Sequence, residues 1–83
     1  LVTVSGYVLK DGTYNGNNPR LIMLGGFIGG ITSDQTDTLS VAANNWEQLQ
    51  VTGTPNEAGA VEFYFDCDGT AGNVYVDDVT VTQ

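Results

Sequence analysis

The sequence predicts an all-β protein, an antiparallel sandwich or barrel of about six short strands. Apolar residues recur at every second position in several segments, and helical spacing is missing throughout. Clusters of Gly, Asn, Asp and Pro separate these segments as turn signals. At 83 residues the chain is at most one domain, 1–83, and a domain of that size buries only about 60–65% of the surface its unfolded form exposes. Its core must be thin.

Each segment follows from its pattern. In "LVTVSGYVL" (1–9), Val2, Val4 and Val8 take one face while Leu1, Thr3, Ser5, Tyr7 and Leu9 take the other. "KDGTYNGNNP" (10–19) is a loop, since Asp-Gly and Asn-Gly supply positive φ and Pro fixes a turn. "RLIMLGGFI" is a continuous apolar run, as in a strand covered on both faces. "ITSDQTDTLSVAA" (31–43) reads as a loop followed by a short strand at Leu39 and Val41. "NWEQLQVTG" (45–53) sets Leu49 and Val51 against Trp46, Gln48 and Gln50. "TPNEAG" (54–59) is a turn, with Pro55 suited to the second position of type I. "AVEFYFD" (60–66) sets Val61, Phe63 and Phe65 against Glu62 and Tyr64. These last two strands are expected to pair as an antiparallel hairpin. "CDGTAGN" (67–73) is a glycine-rich turn into the closing strand.

That closing strand, "NVYVDDVTVTQ" (73–83), breaks its own alternation. Val79 and Val81 fall one position out of phase with Val74 and Val76. A one-residue slip would turn every later side chain to the wrong face, whereas a β-bulge restores it locally. A bulge at Asp77–Asp78 is expected, with all four valines sharing one core.

Ten acids against two separated bases, Lys10 and Arg20, give a net charge of −8. Nucleic-acid binding is disfavoured, because it relies on several cations displacing counterions from phosphates. Acidic membrane surfaces are disfavoured likewise, and the longest apolar stretch, 21–31, is far shorter than the ~20 residues a spanning helix needs. The single Cys67, between two acids, cannot form an internal disulfide and reads as an ordinary reduced thiol. Leu1 opens the chain inside an apparent strand, which suggests a processed protein, an excised fragment or the ordered part of something longer.

Catalytic chemistry is poorly supplied. The chain has no His, hence no Ser/His or Cys/His pair to activate a nucleophile. No two acids are marked by their context as a glycosidase pair. "GGFIGG" (25–30) lacks the Lys-Ser/Thr of a phosphate loop and no helix follows it. Its glycines suit close backbone approach in a buried strand, or else Phe27 and Ile28 belong to a subunit contact. The expectation is a non-enzyme.

The ending "GNVYVDDVTVT", preceded by "NNWEQLQVTGTP" and "GAVEFYF", resembles the C-terminal half of carbohydrate-binding modules of the galactose-binding-like jelly-roll family. "LVTVSGYVL" looks like that family's mid-domain strand. The resemblance implies a jelly-roll-like sandwich, but family members usually carry further strands before the equivalent of residue 1. The module is then an incomplete sandwich, either completed by another chain or lacking N-terminal strands. In such modules an acid of the closing strand often helps hold a structural calcium, so Asp77 or Asp78 would be the matching ligand. The alternative for these acids is that one is solvated and the other satisfies backbone amides at the bulge. Asp66, Asp68 and Asn73 partly echo a calcium loop without its full ligand set.

Sugar recognition joins flat aromatic faces to amide or carboxylate groups. Trp46, Gln48, Gln50, Glu62 and Tyr64 on the non-core face of the expected hairpin suit a polysaccharide or glycan platform, or else Trp46 and Tyr64 are simply half-buried. Tyr14 among Asn15, Asn17 and Asn18 is a further candidate. The leading expectation is a noncatalytic carbohydrate-binding module of a secreted, cell-surface or virion protein, with no cofactor beyond that calcium. Its rival is a structural assembly subunit, such as a phage decoration, tail or fibre protein or an extracellular filament, that self-associates or joins other subunits without binding glycan. Phage structural proteins and polysaccharide-degrading enzymes both carry such modules.

Overall fold

The computed structural model describes residues 1–57 and 60–83. Its strands are β1 (Val2–Lys10), β2 (Arg20–Met23), β3 (Gln35–Thr38), β4 (Glu47–Gly53), β5 (Phe63–Asp66) and β6 (Val74–Thr82). They form two three-stranded antiparallel sheets, ordered β4-β1-β6 and β3-β2-β5, packed as a sandwich. The described residues contain no helix.

Alternation in sequence became facing in space. Val2, Val4 and Val8 of β1 and Leu49 and Val51 of β4 point inward, meeting Leu21 and Met23 of β2 together with Ile31 and Leu39. Phe63, Phe65, Val61 and Val41 pack around this cluster. Leu21, Ile22 and Met23 are all buried, as the continuous apolar run requires of a central strand covered on both faces.

Three expectations are corrected. The strand stops at Met23 instead of continuing through "GGFI", because Gly26 (φ 84) enters the left-handed region and the chain turns back, with Gly30 N–H donating to the Phe27 carbonyl. Phe27 and Ile28 are exposed at that turn. The short strand expected at Leu39 and Val41 lies earlier, at Gln35–Thr38. This edge strand is polar, and apolar spacing does not mark it. Finally, β4 and β5 do not form a hairpin, since β4 pairs with β1 and β5 with β2. Their facing was right and their partners were not. The expected turn at 54–59 lies partly outside the described residues.

The bulge in β6 is present. Ser5 pairs with Thr80 and Tyr7 with Asp77, so Asp78 and Val79 together oppose Gly6. Asp78 takes the extra step at φ 52, a left-handed conformation that Asp tolerates better than most residues. Its N–H donates to the Asp77 side-chain Oδ1 at 2.8 Å. Beyond the bulge, Val81 pairs with Val4, and before it Val76 pairs with Val8, so the valines do return to the inward side. They do not share one core, however. Val74 packs against the main cluster, whereas Val76, Val79 and Val81 remain 40%, 45% and 50% exposed.

The cause is an uneven fit between the sheets. β4 lies close to both β2 and β3, while no strand of the second sheet approaches β6 comparably. Polar links seal the β3/β4 side. Gln50 N–H donates to Asp37 at 2.9 Å, and Glu47 accepts from Ser40 N–H and hydroxyl at 2.7 and 2.9 Å. Those bonds to Ser40 hold the Glu47 carboxyl below its ordinary pKa.

Two loops clasp one another at one end of the sandwich. Asn15 accepts from the N–H groups of Thr70 and Ala71 at 2.8 and 3.1 Å. Asp68 accepts from Asn17 N–H and side-chain amide at 2.7 and 2.8 Å. Asp11 accepts from the Thr13 hydroxyl at 2.9 Å and from Asn73 N–H at 3.1 Å. Gly72 (φ 81) lies against the Thr13–Tyr14 backbone, where a Cβ would not fit. Hydrogen bonds from Thr13 and then Asn73 lower the Asp11 pKa to about 2, and those from Asn17 lower that of Asp68. A carboxyl depressed in the folded state contributes stability above its unfolded pKa, near 4, and loses it as pH falls through the folded value. Thermal midpoints are therefore expected to fall between about pH 4 and pH 2, with Asp11→Asn flattening part of the decline. A midpoint independent of pH across that window would contradict the clasp.

Candidate functional site

The outward face of the β4-β1-β6 sheet carries an open concentration of aromatic and acidic groups. Alternation along β1 turns Tyr7 outward, and pairing sets Gln48 on one side of it and Asp77 on the other. The next rows are Gln50, Ser5 and Thr80, then Thr52, Thr3 and Thr82. Ser5 and Thr80 hydroxyls bond at 2.8 Å. Trp46 stands immediately before β4, on the parity of Gln48 and Gln50. Tyr7, Trp46, Asp77 and Asp78 together line an open groove of about 400 Å³.

The bulge shapes this groove. By spending one residue at Asp78, it places two consecutive carboxylates at the groove wall, where strict alternation would send one of them inward. Tyr7 and Trp46 are 40% and 49% exposed, so each ring offers a face to solvent. Among the described residues the two bases are engaged elsewhere: Lys10 donates to Asn18 at 2.6 Å and Arg20 pairs with Asp66. The groove is acidic and aromatic, with no cation of its own.

Comparison with protein-family models, curated proteins and solved structures finds no match.

Of the residues singled out in the sequence, the structure brings Trp46, Asp77 and Asp78 together and leaves Gln48 and Gln50 exposed on the same sheet face. It separates Glu62 and Tyr64 from them. Tyr64 pairs with Ile22 in the other sheet, and the Glu62 carbonyl accepts from Leu24 N–H, so the expected five-residue hairpin platform does not exist. Tyr14 belongs to the loop clasp. Its hydroxyl donates to the Asn17 carbonyl at 2.7 Å and accepts from Asp68 N–H at 3.2 Å, and burial pushes its pKa up.

For a cation, the donor set is short. Asp77 Oδ1 is already bonded to the Asp78 N–H, and among the described residues no three or more His, Cys, Asp or Glu side chains are grouped so that they could hold a metal ion. Calcium takes six to eight oxygens, so these two carboxylates do not fit a resident ion by themselves. The partial loop at 66–73 is dispersed: Asp66 pairs with Arg20, Asp68 with Asn17 and Asn73 with Asp11. Cys67 is exposed as a residue, yet shielding of its thiol and the neighbouring Asp66 and Asp68 push its pKa up, which suppresses the reactive thiolate.

Sequence reasoning missed Tyr7, and Tyr75 with it. Tyr75 lies on the same outward face, paired with Leu9 and 50% exposed. The signal was available, because both tyrosines alternate with inward valines, but an aromatic in a strand is ordinary until its neighbours are known.

Proposed function

We propose that the chain is a noncatalytic carbohydrate-binding-type module whose platform is the outward face of the β4-β1-β6 sheet. The observation that carries this reading is the open groove that joins the Tyr7 and Trp46 rings to the Asp77 and Asp78 carboxylates. Aromatic rings cover the apolar face of a pyranose, and the carboxylates and the nearby Gln48 and Gln50 amides bond its hydroxyls. An exposed, shallow groove suits a segment of polysaccharide better than a small buried metabolite. The resemblance to galactose-binding-like jelly-roll modules adds weight to this reading, as does a chain without histidine. Such a module works outside the cell, on its surface or on a virion, within a larger protein or assembly.

The test is retention on a panel of insoluble polysaccharides and affinity electrophoresis in soluble ones. Trp46→Ala and Tyr7→Ala are each expected to weaken retention by about tenfold or more, as loss of a central aromatic contact does. Tyr64→Ala, on the other sheet, is expected to leave retention unchanged. Retention insensitive to Trp46 and Tyr7, or none on any glycan, overturns the reading.

The rival reading, a structural assembly subunit, is favoured by a different observation, the half-exposed valines of β6.

A further inference from the structure

The two sides of the sandwich are closed differently. On the β3/β4 side, Asp37 crosses to an N–H of the edge strand β4, and Ser40 and Glu47 close the remaining space. On the other side, β6 ends its sheet with one edge unpaired among the described residues. An edge strand left this way presents a row of backbone donors and acceptors that can template another strand. Beside that row, Val76, Val79 and Val81 form an inward-facing stripe that stays 40–50% exposed, while the Phe65 ring of β5 lies against Gly6 of β1.

We propose that the free edge of β6 receives an added β-strand from a partner polypeptide whose residues alternate between β-branched apolar and cationic. Geometry sets both halves of that description. Side chains of an added strand alternate between the two faces. Those on the inward side meet the valine stripe and extend the core. Those on the outward side lie beside Tyr75, Asp77 and the bulged Asp78, where two carboxylates without a basic neighbour favour lysine or arginine. A second copy of this chain is the poorer occupant. Pairing β6 with β6 brings two Asp77–Asp78 pairs together between molecules that each carry a charge of −8. Recognition is by strand addition, with main-chain hydrogen bonds giving affinity and alternate side chains giving selectivity.

The test uses a synthetic peptide of the length of β6 that alternates valine and lysine, a valine/glutamate counterpart, and a scrambled peptide of the valine/lysine composition. Binding is read by titration calorimetry, and its location by residue-resolved amide hydrogen exchange. The valine/lysine peptide is expected to bind, to slow exchange within 74–82, and to weaken as salt rises. The other two are expected not to bind. Val79→Lys, a charge on the half-exposed inward side, is expected to abolish binding in a protein whose spectrum remains folded. Asp77→Asn with Asp78→Asn is expected to reduce affinity by about fivefold per carboxylate or less. Equal binding of the scrambled peptide, protection elsewhere than β6, no binding at all, or dimerisation of the chain through β6 would each overturn the proposal.

Discussion

Leu49→Ala is expected to lower the unfolding free energy by about 2–5 kcal/mol, the range for deleting most of a fully buried leucine. Leu49 is 0% exposed on β4, where that strand approaches both β2 and β3, so its side chain lies in the core between the two sheets. A chain of 83 residues has a total stability on the order of 4–12 kcal/mol. The loss is therefore a large share of the whole, and the variant is expected to populate unfolded chain near body temperature. Gln50→Ala, one position along and outward, is expected to stay within about 0.5 kcal/mol of the parent, because it is the Gln50 backbone N–H that bonds Asp37. Urea titration of both variants checks the contrast. Equal midpoints for Leu49→Ala and Gln50→Ala would show that β4 does not seal the sandwich.

The second large effect is expected at Gly6. A Cβ there would lie 2.9 Å from Phe65 Cζ and 3.4 Å from Val79 Cγ2, so Gly6→Val drives two further methyl groups into the ring that bridges the sheets. Overpacking of this kind costs about 1–3 kcal/mol. Because Gly6 also sits opposite the bulge, the ladder has little freedom to move aside. Phe65→Leu alone is expected to destabilise through lost packing, yet combined with Gly6→Val it should recover part of the loss, since the smaller side chain makes room. That non-additivity is the signature of direct contact. Strictly additive effects in denaturant titrations would place the strain elsewhere.

How far the sequence foretold this molecule depends on which physical rule each element obeys. β1, β4 and β6 were legible because period-two alternation is set by one inward and one outward face, and the phase break at Asp77–Asp78 announced the bulge for the same reason. Strand partners were not legible. Alternation fixes where Leu49 and Phe63 point, but β4 and β5 could satisfy that facing as a hairpin or, as found, from opposite sheets. β3 was misplaced because "QTDT" has no apolar side chain to reveal it. Of the groove, Trp46, Asp77 and Asp78 stand out in the sequence for separate reasons. Only the β1 register, which sets Tyr7 between Gln48 and Asp77, shows that they share a surface.

The unequal sides of the sandwich make it mechanically lopsided. One flank, laced by Asp37, Ser40 and Glu47, acts as the spine of a book, while the β5 and β6 flank is its loose fore-edge. Breathing motions should begin at the fore-edge, where fewest apolar groups must be wetted to part the covers. Whatever clasps that edge would stiffen the entire fold without touching its centre.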